Sequence, residues 1–262
     1  MAETNLKPYG KRGVKFMLPI TILLLILPLA ASKPVVNIHY YEIPHVMKCR
    51  VHLPEGYDPA KAYPLLIALH GRGGGAQDFD RLWERQAKAQ CLFVTPEGPY
   101  VLPFDQRRDI PGYSWYLLVN DRNIWAMADS LGVTAMTNTV AEIKANYKVG
   151  PVYILGFSQG ASLAYHVAVL HPDIFAGVLA IAGIFPGEFI SQENLGKALP
   201  TLRIFIAHGR SDPALPMAES EKSRTLLEKA GFAVTFQTFK GGHTLPDDLF
   251  QKILAWIGAS AG

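Results

Sequence analysis

Beyond about residue 60, short continuous apolar runs alternate with longer stretches in which apolar residues recur every three or four positions. Ala233 to Phe239 predicts a strand, and the runs Leu65 to Leu69, Cys91 to Thr95, Val152 to Leu155, Ala176 to Ala182 and Leu202 to Ala207 lack the in-and-out alternation of a half-wetted strand. They predict strands buried on both faces. Helical spacing predicts helices from about Asp78 to Gln90, through Ala141, Ile143 and Tyr147, from Ala161 to Leu170, around Ala218 to Ala230 and from about Leu245 to Ile257. Two earlier β-rich runs, Val35 to Ile43 and Met47 to Leu53, flank Pro44-His45 and predict an antiparallel start to the sheet. Strand and helix in alternation predict an α/β fold, with a mainly parallel sheet covered on both faces and ligands gathered at the strands' carboxyl ends.

The 262 residues contain no linker or charge run that divides them, so a single domain over residues 33–262 is expected after a distinct N-terminus. From Phe16 to Ser32 no charged residue occurs; Lys7, Lys11, Arg12 and Lys15 precede this apolar stretch and Ala30-Ala31-Ser32 close it. Residues 1–32 thus have the form of a secretory signal peptide, which predicts export to a periplasmic or extracellular space. The competing reading is an uncleaved signal anchor that tethers the protein to a membrane. Pro19, Pro28 and the small closing residues favour cleavage, which would leave no stable membrane partner. The net charge of +3 owes much to the leader's basic residues, so nucleic acid is not an expected partner. With two cysteines, Cys49 and Cys91, there is no disulfide scaffold. No CxxC, HExxH, GxxxxGK[ST] or dinucleotide fingerprint occurs, so neither a metal nor a cofactor is expected.

The candidate chemistry centres on Gly156-Phe157-Ser158-Gln159-Gly160, a G-x-S-x-G segment between a predicted strand and a predicted helix. A sharp strand-to-helix reversal there strains the serine and requires small neighbours, while the helix start offers unpaired N–H groups to an oxyanion. The alternative is a serine that merely caps a helix. A catalytic serine needs a base and a carboxylate, in this architecture in the chain order serine, acid, histidine. Asp212, in His208-Gly209-Arg210-Ser211-Asp212-Pro213, follows one buried run; His243, in Gly241-Gly242-His243, follows the next predicted strand. Ser158, Asp212 and His243 are therefore the candidate triad. His208 reads as structural, hydrogen-bonded within its loop. The loop His70-Gly71-Arg72-Gly73-Gly74-Gly75 follows the run Leu65 to Leu69 and suits an oxyanion hole, with backbone N–H groups of Arg72 and Gln159 as donors. Tyr113 and Trp115, with Tyr100, Phe104 and Tyr116, occupy the long loop from Pro96 to about Asn123, where they could wall a substrate pocket; Trp115 could equally anchor that loop in the core.

Taken together, Leu69-His70-Gly71-Arg72-Gly73-Gly74, Gly112-Tyr113-Ser114-Trp115-Tyr116, the G-x-S-x-G segment, the Asp212 loop and Gly241-Gly242-His243 resemble the phospholipase/carboxylesterase family of α/β-hydrolases. The resemblance spans roughly Tyr63 to Ile257. It implies an α/β-hydrolase fold without a large lid domain, a small-molecule ester substrate, and a carboxylic ester hydrolase working through an acyl-enzyme. It places the nucleophile, acid and base on Ser158, Asp212 and His243 and the oxyanion donors on the backbones of Arg72 and Gln159. Arg72 departs from the leucine-containing loop of the thioesterase branch. A serine peptidase or acyltransferase could use the same groups, and an exported binding protein with a relic site is the alternative outside enzymes.

Overall fold

The chain enters its sheet through β1 (Cys49–His52), then forms β2 (Tyr63–Leu69), a 3₁₀ turn (Ala76–Phe79), α1 (Asp80–Glu84) and β3 (Leu92–Pro96). A two-stranded ladder of β4 (Tyr100–Val101) and β5 (Tyr113–Ser114) follows, then α2 (Arg122–Asn146). The second half runs β6 (Val149–Phe157), α3 (Gln159–Leu170), β7 (Gly177–Ile181), a 3₁₀ turn (Gly187–Phe189), α4 (Gln192–Ala198), β8 (Arg203–Gly209), α5 (Met217–Lys229), β9 (Val234–Phe239) and α6 (Asp247–Gly258). This computed structural model describes residues 47–86, 89–102, 111–117 and 122–258. The leader, the run Val35 to Ile43 and Phe104 lie outside the described residues.

Among the described residues seven strands form one sheet in the order β1-β3-β2-β6-β7-β8-β9, parallel throughout except for β1 against β3. The pleat divides each strand between two cores. Leu65, Ile67 and Leu69 of β2 join Val133, Met136 and Val140 of α2 and Leu163 and Val167 of α3 on one face. Leu66 and Ala68 join Phe79 and Leu82 near α1 and Leu249, Phe250 and Ile253 of α6 on the other. Burial on both faces is what makes these strands continuously apolar; each fully buried leucine contributes about 2 kcal/mol.

The expected helix from Asp78 to Gln90 is shorter: its α-helical part ends at Glu84. Phe79 and Leu82 are buried, but Arg85 is exposed and Gln86 only half-buried, so a longer helix would have gained little core. The long loop carries the β4–β5 ladder, and α2 begins well before the residues that predicted it. Between β7 and β8 the short α4 was not expected; Ser191 caps it by accepting the Asn194 N–H at 3.1 Å, and Leu195 and Ala198 are its buried residues.

Strand order reverses at β2, since β3 lies on one side of it and β6 on the other. Such a switch point opens a crevice at the carboxyl ends of the strands, and the glycine-rich loop after β2 and Ser158 after β6 meet there.

Candidate active site

Ser158 stands between β6 and α3 at φ 54° and ψ −117°, a backbone conformation costly for any residue with a Cβ. Its neighbours explain how the turn closes. A Cβ on Gly160 would lie 2.4 Å from the Leu69 carbonyl oxygen, and one on Gly156 would lie 2.2 Å from that of Gly160. The residue occupies the N-cap position, yet its side chain makes no capping hydrogen bond, so the hydroxyl is not spent on the helix.

The glycine loop packs directly on this elbow: a Cβ at Gly71 would be 3.3 Å from the Ser158 Cβ. Gly71 to Gly74 form a turn closed by a 2.9 Å bond from the Gly74 N–H to the Gly71 carbonyl, with Gly73 at φ 79° as a type II turn requires. Arg72 lies inside that turn with its side chain exposed. Gln159 opens α3, so its backbone N–H has no acceptor within the helix.

His70 holds the loop from beneath. Its Nε2 accepts the Gly98 N–H at 3.0 Å, so Nδ1 carries the proton and donates to the Gly71 carbonyl at 2.8 Å. Trp115 is fully buried, and its Nε1–H donates to the His70 carbonyl at 2.7 Å. Of the two sequence readings for Trp115, wall or anchor, this geometry fits the anchor. Tyr113, half-buried, exchanges backbone hydrogen bonds with Gly73 and Gly74. The Gln159 side chain completes the clamp: its Oε1 accepts from the Ser114 hydroxyl and the Trp115 N–H, and its Nε2–H donates to the Tyr116 carbonyl. Sequence reasoning singled out Gln159 for its backbone and missed these side-chain roles of His70 and Gln159. No periodicity marks either of them; the one signal is that each adjoins a glycine-rich turn.

Asp212 and His243 come together from the ends of β8 and β9. The Asp212 Oδ2 accepts from His243 Nδ1 at 2.7 Å, and the Asp212 carboxylate is fully enclosed. An ionised carboxylate only accepts, so Nδ1 carries the ring proton and Nε2 is left as the basic nitrogen. The Asp212 Oδ1 accepts the N–H groups of Ala214 and Leu215 at 2.8 and 2.9 Å. Burial alone raises the Asp212 carboxyl pKa, but the Leu215 N–H, His243 and the Ala214 N–H outweigh it and hold the group below the usual carboxylate range. The two loops are joined through their backbones. Ser211 N–H donates to the Gly241 carbonyl, and a Cβ on Gly209 would lie 2.3 Å from the Gly242 carbonyl oxygen.

The His243 ring lies 4.8 Å, centroid to centroid, from that of Phe157, beside the elbow. Among the described residues no hydrogen bond within 3.5 Å joins Ser158 to His243; such contacts often close only around a bound substrate. A groove of about 970 Å³ opens one helical turn beyond Ser158, lined by Tyr116, Ser162, Ile184, Phe185 and Leu226 with Lys222 at its side. Neither Tyr113 nor Trp115 lines it. Both cysteines are free, and burial pushes the thiol of Cys49 up to about 11 and that of Cys91 up to about 12.

Comparison with known proteins gives this arrangement its class. The family model described as phospholipase/carboxylesterase matches residues 56–260. Lysophospholipase-like protein 1 of Mus musculus is 30% identical over 228 residues, covering 81% of this chain and 91% of the mouse protein. NocK of Nocardia uniformis subsp. tsuyamanensis, whose name carries the word esterase, is 30% identical over 169 residues, 63% of this chain; that match spans only 42% of NocK. The crystal structure of Zea mays acyl-protein thioesterase 2 superposes with a TM-score of 0.64 at 18% identity, covering 82% of this chain and 99% of the maize chain. The protein is thus a carboxylic ester hydrolase with an α/β-hydrolase fold, and no large lid domain occurs among the described residues. The chain belongs to the phospholipase/carboxylesterase family.

Proposed function

We propose that the protein hydrolyses small carboxylic esters through Ser158, His243 and Asp212 by way of an acyl-enzyme. The observation that carries this reading is the strained Ser158, its hydroxyl unspent, at the same end of the sheet as the 2.7 Å Asp212–His243 hydrogen bond. His243 Nε2 takes the proton from Ser158 Oγ as the oxygen bonds to the ester carbonyl carbon. The carbonyl oxygen becomes an oxyanion, received by the backbone N–H groups of Arg72 and Gln159. When the carbon–oxygen bond to the alcohol breaks, the His243 imidazolium returns its proton to the departing oxygen. Water then attacks the acyl-enzyme, His243 takes one of its protons and passes it to Ser158 Oγ, and the carboxylic acid leaves. Asp212 orients the ring and balances its positive charge throughout.

In the groove beside Ser162, Ile184, Phe185, Phe189 and Leu195 give apolar walls for a part of the ester, with Glu188, Gln192, Lys222 and Lys229 polar among them. The test is hydrolysis of p-nitrophenyl acyl esters from short to long by the protein and by Ser158→Ala. We expect serine-dependent turnover that falls by several orders of magnitude in the variant, roughly the loss of a triad member. Equal rates for the two proteins would sink the assignment.

A further inference from the structure

The acid of the proposed triad has a second histidine. His208 is the next-to-last residue of β8 and is fully enclosed, with its Nε2 2.9 Å from the Leu215 carbonyl oxygen and 3.2 Å from Asp212 Oδ2. Its Nδ1 lies 2.7 Å from the Ser220 hydroxyl of α5, and that hydroxyl is 3.1 Å from the Gly183 carbonyl just beyond β7. Both neighbours of Nε2 are acceptors only, so this nitrogen carries a proton in every arrangement that satisfies them.

We infer that His208 is a positioning residue for the reaction, fixing Asp212 in place and sharing its charge with His243. This inference rests on the triad reading above. The ring acts on the carboxylate from two sides. Its Nε2 lies 3.2 Å from Oδ2, where the polar edge of the ring stabilises the negative charge, while its N–H is directed at the Leu215 carbonyl. It also holds the Leu215 peptide, whose N–H donates to Oδ1. Ser220 supplies the fixed point on the far side of the ring, anchored to the backbone that follows β7. The groups facing the ring are thus Asp212 and the Leu215 carbonyl from the loop and Ser220 from α5; His243 lies across the shared carboxylate. A residue that only filled space at the end of β8 would need none of these contacts.

Removing the Nε2 donor leaves His243 as the remaining imidazole on Asp212, with a more strongly basic carboxylate behind it. The positive form of His243 then gains stabilisation, whichever protonation state His208 had, and the acidic limb of the kcat/KM profile moves to higher pH. The experiment compares p-nitrophenyl ester hydrolysis against pH for the protein, His208→Leu and His208→Gln, with thermal melting of each. We expect His208→Leu to lower kcat roughly 3- to 10-fold, the worth of one neutral hydrogen bond, with KM little changed and the acidic limb shifted upward. His208→Gln restores an N–H near the Nε2 position and recovers most of kcat and of the original limb. Should His208→Leu not fold, Ser220→Ala replaces it, with a smaller fall in kcat and a limb shift in the same direction.

Melting that drops in His208→Leu while kcat and the acidic limb stay put would overturn the proposal. So would His208→Gln behaving no better than His208→Leu. Asp212→Asn run in parallel separates the two ideas. If it leaves kcat intact, the triad reading fails and this inference with it. If it abolishes turnover while the His208 and Ser220 variants match the parent, the inference alone fails.

Discussion

Ser158 stores backbone strain that a glycine would release. Its φ of 54° and ψ of −117° lie in a region natural to glycine, and residues forced there lose about 1–3 kcal/mol. Ser158→Gly is therefore expected to melt above Ser158→Ala, which keeps the Cβ and the strain, even though both lack the hydroxyl. The gain should be about 1 kcal/mol after the extra freedom glycine has in the unfolded chain, or a few degrees in this size range. Thermal melting of the two variants checks it, and equal melting temperatures would show that the turn is relaxed. The glycines at positions 156 and 160 were legible in sequence because a side chain at either would meet backbone, which cannot move aside. The second histidine on Asp212 was not. His208 looks like any residue ending a buried strand, and the contact with Asp212 arises from how the loop folds back.

Among the elements, the segment from β5 to Tyr116 depends on the Gln159 side chain. Three hydrogen bonds converge there, and Gln159→Ala would leave the Trp115 N–H without its acceptor in a buried setting. An unsatisfied buried donor costs about 1–3 kcal/mol. We expect Gln159→Ala to melt several degrees lower and to lose kcat/KM, while the backbone N–H at that position remains; melting and ester kinetics measured together test both parts. The strands β2, β3, β6, β7 and β8 and the helices α3, α5 and α6 were readable because each buries a regular stripe or run. The β4–β5 ladder was not, since two-residue strands hold no period and owe their pairing to the Gly74–Tyr113 contact. The helix α1 was overdrawn for the opposite reason: apolar spacing suggested more turns than the core could use.

Over the whole molecule, a parallel sheet buried on both faces could be inferred from apolar runs alone. The strand order could not, because crossovers that pass either way around β2 leave the same pattern in the residues. Acid stability follows from the assembled site. Asp212 is held below its ordinary value of 3.8, so the stability it contributes is fully present above that value and is lost as pH falls through its depressed folded-state pKa. Denaturant unfolding of the protein and of Asp212→Asn below about pH 4 should therefore converge on acidification, the parent losing stability faster than the variant. A gap between them that stays constant would show that the carboxylate is not held as described. The backbone bonds between the loops after β8 and β9 have one more consequence. They make Asp212 and His243 a preassembled cartridge, while Ser158 and the glycine loop form another on β6 and β2. The strand β7 is the shim between the two cartridges, so the gap a substrate must bridge is set by strand spacing. The side chains that choose the substrate can vary around both without resetting it.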